Sequence, residues 1–321
     1  MNISVLGLGQ YGYALLRHID RTSGDQIDFL KAWDVRPDVV KEIAASNCHP
    51  QVGDTGCLSS RVKVLDSLEE VCQDADIVIM AISSAGMKDV LQQMKPYLKE
   101  GVTIITTAKA LDDQGEFFSH VVARELKPFR GYVGALVGAG KASDILAEKF
   151  STICLACENT RTLETLKRLL ETSTFRVETT MDVETVELAG ATKNLLSLLY
   201  GIMEGQGSSE SERAYIMARI RSELEELRPN LRESYMIPAW HVDVTMSCRT
   251  QTRNKTFGTY LGQGLSADDA FAEMHNATVE GWNTLHVMNK NSVLSQMQTL
   301  QVLQECLDTT EWQSCLEELL K

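Results

Sequence analysis

The sequence predicts an α/β fold with an N-terminal, doubly wound sheet of the Rossmann type and an all-α C-terminal domain. Residues 2–6 form an apolar, β-rich run that enters a glycine turn, and helical spacing of apolar residues begins at Tyr11. Strand and helix patterns then alternate to about residue 178, which is typical of a parallel sheet covered on both faces. From Asp182 onward the patterns are almost wholly helical. We therefore predict two domains, residues 1–178 and 179–321.

The individual elements follow from apolar spacing and from the residues at their ends. Residues 27–33 alternate as a second strand, and Pro37 suits the first turn of the helix that follows. Ser67, with Glu70 three residues later, predicts a capped helix. An apolar run of the kind found in parallel strands covered on both faces lies at 75–83. Residues 101–110 are predicted as a strand, and 131–138 and 150–157 are two further strand candidates. Further helices are predicted at 87–98, from 182 to about 205, and at 210–228.

Charge and composition restrict the function classes. The chain of 321 residues has a net charge of -13, and 44% of its residues are hydrophobic. Such a field repels polyanions, so we expect no nucleic-acid partner, and an anionic substrate would require a local cluster of cations. No apolar stretch is long enough to cross a bilayer, and no targeting segment is evident. We expect a cytoplasmic protein without stable membrane insertion, and the assembly that we consider is a homodimer.

The eight cysteines are scattered through a long chain, so free thiols are expected. Cys154 and Cys157 form a C-x-x-C pair. No second pair stands nearby to complete a zinc site, and the surrounding residues have the pattern of a buried strand. We therefore predict no metal site.

Three glycines at the start of the chain indicate a dinucleotide site. Gly7, Gly9 and Gly12 form G-x-G-x-x-G between a strand and a helix, with Gln10 and Tyr11 inside the motif. Small residues let the backbone turn tightly and approach a pyrophosphate, whose charge is met by the amides at the helix start. This position in a strand–turn–helix unit makes the motif far more specific than the three glycines alone.

The second strand ends at Asp34, about twenty residues further on, where the acidic residue of such sites stands. Its carboxylate can accept hydrogen bonds from the adenosine ribose and would repel the 2′-phosphate of NADP, which favours NAD. Arg36 leaves an alternative open, because a guanidinium there can stack on adenine or engage a phosphate. NAD is the predicted cofactor and NADP the less favoured one.

Two lysines and a serine are candidates for the chemistry. Helical spacing surrounds Lys193 with small and apolar residues, so its ammonium either extends to water or lines a cavity, where its pKa would fall. Lys109 follows an apolar strand at the carboxyl edge of the sheet, where ligands of parallel sheets bind, although a solvated lysine is equally compatible. Ser83 ends another strand at this edge and is a candidate cofactor contact.

Six segments in order resemble the NAD(P)-dependent glycerol-3-phosphate dehydrogenase family over nearly the whole chain. They are GLGQYGYAL, AISSAGMKDVLQQMKPYL, TTAKALD, FRVETTMDVETVELAGATKNLLSLLYGI, RTQTRNKTFGTYLGQG and VEGWNT. The resemblance implies a hydride transfer between NAD(H) and the C2 position of a small phosphorylated substrate, sn-glycerol 3-phosphate or dihydroxyacetone phosphate. It also implies that Lys193 is the general acid/base, and that Lys109 and Asp243 position and polarise the oxygen on the reacting carbon.

The resemblance further assigns binding residues. The substrate phosphate would be held by Asn194, Arg253 and Asn254, and Arg253 supplies the bidentate cation that an acidic protein needs for an anion. Ser247 stands where the family has a threonine near the substrate. Cofactor contacts are implied at Ala142, Arg253 and Glu280.

Three segments depart from the family's pattern. Gly138–Ala142 lacks the family's proline, Trp240–Val242 replaces two glycines before Asp243, and Ser209–Arg213 replaces G-D-N-T-K. These changes affect the expected substrate pocket more than the cofactor half. Two alternatives therefore stay open: a dehydrogenase of another small phosphorylated or acidic hydroxy compound, and a non-catalytic NAD-binding regulator.

Overall fold

An eight-stranded sheet organises the first part of the chain in the computed structural model, which describes residues 1–52, 56–128, 130–227, 238–309 and 312–320. The strand order is β3-β2-β1-β4-β5-β6-β7-β8. The strands are β1 (Asn2–Leu6), β2 (Phe29–Trp33), β3 (Val62–Val64), β4 (Ile77–Met80), β5 (Thr103–Thr106), β6 (Tyr132–Ala139), β7 (Ser151–Cys157) and β8 (Phe175–Thr180). The first six strands are parallel, which confirms the doubly wound arrangement predicted from the sequence.

The sheet differs from the prediction at its far edge. Strand β7 runs antiparallel to β6, and β8, which the sequence pattern did not identify, pairs parallel to β7. Strand β6 has eight residues, and the segment after it holds only a five-residue helix at Ala142–Leu146. A parallel return would require a longer crossover connection, so the chain turns back beside β6.

Helices cover both faces of the sheet. They are α1 (Gln10–Thr22), α2 (Pro37–Ser46), α3 (Leu68–Cys72), α4 (Met87–Met94), α5 (Phe118–Glu125), α6 (Ala142–Leu146) and α7 (Thr160–Leu170). Along β4, Ile77 and Ile79 pack into one apolar cluster whereas Val78 and Met80 pack into another. The predicted cap at α3 is present, since the Ser67 side chain accepts a hydrogen bond from the Glu70 amide at 3.2 Å. Pro37 lies in the first turn of α2, also as predicted.

Helices make up the regular structure of the chain's second part. They are α8 (Val183–Gly205), α9 (Glu210–Leu227), α10 (Pro238–Arg249), α11 (Arg253–Gly262), α12 (Ala267–Glu273), α13 (Glu280–Val287), α14 (Gln298–Thr309) and α15 (Trp312–Leu319). The chain divides into two compact units: Met1–Ala108 with Phe118–Val186, and Lys109–Phe117 with Glu187–Lys321. The division into functional domains at 178–181 stays a prediction. Within the described ranges, no helix has the length and apolar character required to span a membrane.

The expectation of free thiols was wrong for four of the eight cysteines. Disulfides join Cys48 to Cys57 and Cys306 to Cys315. Each pair joins neighbouring segments that fold back on one another, a proximity that composition does not reveal. The other four, Cys72, Cys154, Cys157 and Cys248, are free and buried. Cys154 and Cys157 lie in β7 as predicted, and burial raises the pKa of the Cys154 thiol to about 12.

Helices α8 and α11 approach each other backbone to backbone within the second unit. A Cβ on Gly201 would lie 2.1 Å from the Lys255 carbonyl oxygen, and one on Gly258 would lie 2.1 Å from that of Leu198. Gly205 and Gly262 are confined in the same way, one turn further along each helix. This contact fixes the start of α11 beside the middle of α8, so Asn254 lies within hydrogen-bond reach of Asn194.

We expect Gly258→Ala to lower the free energy of unfolding by about 2 kcal/mol, since the added methyl group forces the two helices apart. At a helical glycine without such a contact, the same substitution would raise the free energy of unfolding, because alanine has the higher helix propensity by about 1 kcal/mol. Urea unfolding measures the difference. Gln263→Ala, an exposed position directly after the same helix, is the control and should change stability little. A more stable Gly258→Ala protein would contradict the close contact.

Candidate active site

The glycine turn after β1 has the backbone geometry of a dinucleotide cradle. Gly7 has a φ of +95°, and a Cβ there would lie 2.5 Å from the Ala81 carbonyl oxygen. A Cβ on Gly12 would lie 2.0 Å from the Gly7 carbonyl oxygen, so neither position admits a side chain. At Gly9, by contrast, no atom of the described residues lies within 4 Å of the Cβ position, apart from Gly9 and its two chain neighbours. The open backbone face at Gly9 therefore fits a closely approaching pyrophosphate.

Helix α1 begins directly at this turn. Gly9 is its N-cap and provides no side-chain cap, so the first-turn amides of Gln10 and Tyr11 suit an anionic ligand. A cavity of about 480 Å³ lies beside the helix start, and its lining includes Gln10, Gln51 and Ala142. Ser83 lies exposed shortly after β4. Cofactor binding by these residues stays a prediction, which the local geometry fits.

Asp34 is occupied by protein donors. Its carboxylate accepts hydrogen bonds from the Leu8 amide at 2.6 Å, from the Arg36 amide at 2.9 Å, and from Arg36 Nε and Nη2 at 2.8 and 3.0 Å. Burial by itself raises the pKa of Asp34, but the hydrogen bonds from Arg36 and Leu8 outweigh it, so the pKa is lowered overall. Asp34 is therefore ionised and buried, and the half-exposed guanidinium of Arg36 compensates its charge.

The three residues implied in catalysis come together in the second unit. Lys109 Nζ donates to Asp243 Oδ2 at 2.7 Å, and Lys193 Nζ lies 3.9 Å from Asp243 Oδ1. Only 12% of the Lys193 side chain is exposed, so the lysine does not extend into bulk water. Burial lowers the pKa of Lys193, the Asp243 charge opposes this shift, and the Lys109 charge adds to it. The net pKa lies below the ordinary lysine value, which suits proton exchange.

Asn194 and Asn254 form a closed polar framework. The Asn194 amide nitrogen donates to the Lys109 carbonyl oxygen and to Glu280 Oε2, both at 2.8 Å. Asn254 Nδ2 donates to Asn194 Oδ1 at 2.9 Å, and Asn254 Oδ1 accepts from the Gly281 amide at 2.8 Å. Both amide hydrogens of Asn194 are therefore used within the protein. In this geometry Asn194 is bonded to Lys109 and Glu280, and its amide would have to give up one of these hydrogen bonds to donate to a substrate phosphate. The predicted phosphate contacts of Asn194 and Asn254 stay predictions.

The other predicted binding residues differ in accessibility. Arg253 is exposed at the start of α11, and no carboxylate in the described part of the chain pairs with it. Ser247 is buried in α10, and its carbonyl oxygen accepts hydrogen bonds from Ser197 and Thr252. Arg253 is thus accessible, and the Ser247 carbonyl group helps to connect helices. The roles of both residues in ligand binding stay predictions. The described residues contain no cluster of ligands suited to a metal ion.

Trp240, which departs from the family's sequence pattern, has a structural function that the sequence did not indicate. Its indole nitrogen donates to the Ala189 carbonyl oxygen at 3.0 Å. Asp243 lies three residues after Trp240 in α10, and Lys193 lies four residues after Ala189 in α8, so both pairs occupy matching helix faces. The bond therefore sets the register that places Asp243 opposite Lys193. A second residue missed from the sequence is His49, whose Nε2 lies 3.0 Å from the Leu8 carbonyl oxygen.

A doubly wound sheet with a glycine turn, joined to a helical unit with a buried lysine–aspartate cluster, defines the class of nicotinamide-dependent dehydrogenases. Two family models describe the chain: the NAD-dependent glycerol-3-phosphate dehydrogenase N-terminus matches residues 2–163, and the corresponding C-terminus matches residues 182–316. The chain belongs to the NAD-dependent glycerol-3-phosphate dehydrogenase family, which confirms the resemblance seen in the sequence.

Individual relatives agree with this assignment. The chain is 28% identical over 287 residues to glycerol-3-phosphate dehydrogenase (NAD(P)+) of Chlorobium limicola, covering 88% of this chain and 85% of that protein. The enzyme of the same name from Symbiobacterium thermophilum is 32% identical over 232 residues, covering 71% and 68%.

Solved structures show the same fold. The glycerol-3-phosphate dehydrogenase of Coxiella burnetii superposes with a TM-score of 0.85 at 23% identity, covering 100% of this chain and 98% of that one. The Plasmodium falciparum enzyme gives a TM-score of 0.88 at 18% identity, covering 99% and 94%.

We expect Arg36→Leu to affect the binding of NADPH more than the binding of NADH. Loss of the guanidinium removes a cation that can meet a 2′-phosphate and releases acceptors of Asp34 for ribose hydroxyls. The NADPH Kd should rise by at least about tenfold, the range for a lost charge-assisted hydrogen bond, while the NADH Kd changes little. Fluorescence titration measures both constants. Arg61→Leu is the matched control, since Arg61 pairs with the buried carboxylate of Asp20 at 2.8 Å. If Arg36→Leu weakened the binding of NADH and NADPH equally, Arg36 would not be the residue that meets the 2′-phosphate.

Proposed function

We propose that this protein transfers hydride between NAD(H) and the C2 position of sn-glycerol 3-phosphate or dihydroxyacetone phosphate. The observation that carries the proposal is the cluster in which Lys109 and Lys193 share the Asp243 carboxylate. A buried amine with a lowered pKa is a suitable partner for the proton of a secondary alcohol. Membership of the family supports the same reaction.

The cluster divides the work between its two lysines. The Lys109 ammonium is held by Asp243 at 2.7 Å, whereas Lys193 lies 3.9 Å from the same carboxylate and is less stabilised as a cation. Lys193 is therefore the group that exchanges its proton. In the oxidative direction its neutral amine accepts the C2 hydroxyl proton, and in the reductive direction its ammonium returns it. Lys109, fixed by Asp243, polarises the C2 oxygen.

The proposed cofactor-binding site is the glycine turn of the first unit. Bound there, the nicotinamide cofactor would supply the hydride chemistry in both directions. Gly9 and the first-turn amides of α1 are suited to the pyrophosphate, and the Asp34–Arg36 pair is suited to the adenosine end. NAD is the proposed cofactor. NADP is the second candidate, because Arg36 compensates the Asp34 charge and because the relatives' names include both.

One observation favours a different substrate for the same chemistry. Trp240 is buried against α8 next to the cluster, at a position where the family pattern has a glycine. A bulky residue there supports an altered pocket and hence another small phosphorylated or acidic hydroxy compound. Arg253 remains the proposed anchor for the anionic group in either case.

A panel of ketones tests these alternatives. Purified protein is mixed with NADH and with dihydroxyacetone phosphate or other phosphorylated or acidic ketones, and the absorbance of reduced nicotinamide is followed. Turnover with dihydroxyacetone phosphate supports the first substrate. Turnover only with another ketone supports the second, and NADH binding without any turnover would leave a regulator as the function.

The setting of the reaction is also a proposal. We infer that the enzyme has no nucleic-acid partner, because its net charge of -13 repels polyanions. The cytoplasm is its proposed location. A homodimer is the proposed assembly, and sedimentation analysis would distinguish it from a monomer.

The pH profile should report the state of Lys193. Because burial and Lys109 lower its pKa below 10.5, kcat for oxidation should rise with pH and level off at a lower pH than an ordinary lysine would give. The reductive kcat should fall over the same pH range. Asp243→Asn removes a charge that raises this pKa, so the inflection should move to lower pH.

Lys193→Met tests the same role directly. It should lower kcat by at least about 100-fold, the usual contribution of a general acid/base, and leave the NADH Kd nearly unchanged. Lys290→Met, at an exposed lysine of the same unit, is the control. An unchanged inflection in Asp243→Asn, or full activity in Lys193→Met, would exclude Lys193 as the proton-exchanging group.

A further inference from the structure

We infer that His49 is a positioning residue for the dinucleotide turn, acting through the Leu8 carbonyl group to orient the Gly9 amide toward the cofactor pyrophosphate. This inference rests on the proposed binding of NAD(H) by the first unit. His49 lies outside the glycine motif, in the loop after α2, and no sequence pattern singles it out.

Leu8 is held on both sides. Its N–H donates to Asp34 Oδ2 at 2.6 Å, and its C=O lies 3.0 Å from His49 Nε2. In a planar trans peptide the carbonyl and the following N–H point in opposite directions. The hydrogen bond from His49 to the Leu8 carbonyl therefore sets the direction of the Gly9 N–H. The Cβ side of Gly9 is also left open by the described residues, in contrast to those of Gly7 and Gly12 in the same turn.

The hydrogen-bond network defines the state of the imidazole. His49 Nδ1 accepts from the Gln51 amide at 3.2 Å, so the ring hydrogen is on Nε2, which donates to Leu8. His49 is 3% exposed, and burial lowers its pKa, which keeps the ring neutral. Each nitrogen thus has one fixed role, and the donor toward Leu8 is always present in the neutral form.

The loop that carries His49 is attached to the helix of the glycine motif. The Tyr13 hydroxyl of α1 lies 3.0 Å from the Asn47 carbonyl oxygen and 2.7 Å from that of Gly56. The rings of Tyr13 and His49 are also in contact, with centroids 5.2 Å apart. Helix α1 and His49 therefore form one local assembly around the turn, and the imidazole is restrained from two directions.

A purely structural histidine is available for comparison in the same unit. His18 is 3% exposed, lies 2.6 Å from the Leu170 carbonyl oxygen through Nε2, and packs on the Phe175 ring. Its environment resembles that of His49, but its partner carbonyl is at the end of α7 instead of in the glycine turn. Replacement of His18 therefore reports the cost of losing a buried histidine without disturbing Leu8.

Two amides at position 49 separate the inference from a general loss of stability. His49→Asn retains an acceptor for the Gln51 amide but is too short to reach Leu8, whereas His49→Gln extends a donor to the place of Nε2. The NADH Kd is measured by fluorescence titration without substrate. Thermal unfolding and kcat at saturating NADH are measured on the same preparations, with His18→Asn as the matched control.

We expect His49→Asn to raise the NADH Kd by about fivefold, which corresponds to about 1 kcal/mol for one hydrogen bond, and to leave kcat near the wild-type value. His49→Gln should restore the Kd to within about twofold. His18→Asn should lower the unfolding temperature without changing the Kd. If His49→Asn does not fold, a wild-type Kd in His49→Gln still supports the inference, and a raised one contradicts it.

Three further results would overturn the role of His49: wild-type NADH affinity in His49→Asn, an equal rise in Kd for His18→Asn, or a fall in kcat instead of affinity. Failure of the proposed function would look different. In that case the wild-type protein itself would bind no NADH or would reduce no ketone.

Discussion

The direct backbone contact between α8 and α11 is the constraint on which the rest of the second unit depends. Four glycines, Gly201 and Gly205 on one helix and Gly258 and Gly262 on the other, leave no room for a side chain between the two backbones. Close packing of this kind restricts how far the helices can slide or rotate against each other. Gly281 extends the constraint to α13, because a Cβ there would lie 2.5 Å from the Asn194 carbonyl oxygen.

The polar groups of the site exploit this rigidity. Burying two ammonium groups beside a single carboxylate costs desolvation energy, and the cost is offset only when the geometry is well defined. The asparagine framework supplies that definition, since each amide of Asn194 and Asn254 has protein partners on both its oxygen and its nitrogen. The hydrogen bond from the Trp240 indole to Ala189 fixes the register of α10 against α8. The lowered pKa of Lys193 is thus a consequence of packing as much as of charge.

Local signals in the sequence predicted the first unit well. The glycine turn, Pro37 and Ser67 each encode their own backbone geometry, so their structures could be inferred without knowledge of distant residues. The antiparallel strand β7, the edge strand β8 and the two disulfides could not, because each depends on which segments become neighbours after folding. The meeting of Lys109, Lys193 and Asp243 was expected only from resemblance, since these residues are distant in the chain. The spacing of residues in the sequence does not show whether a polar side chain, such as that of Asp34 or Asn194, already has hydrogen-bond partners within the protein.

The short segment Lys109–Phe117 belongs to the second unit although the chain on both sides of it belongs to the first. Leu111 and Phe117 are part of the apolar core formed mainly by helices after residue 187. During synthesis this segment therefore leaves the ribosome long before its packing partners exist, and it has to wait in a non-native environment. The two units are therefore not two consecutive segments of the chain. Their folding is coupled, because the second unit contains a segment from within the first.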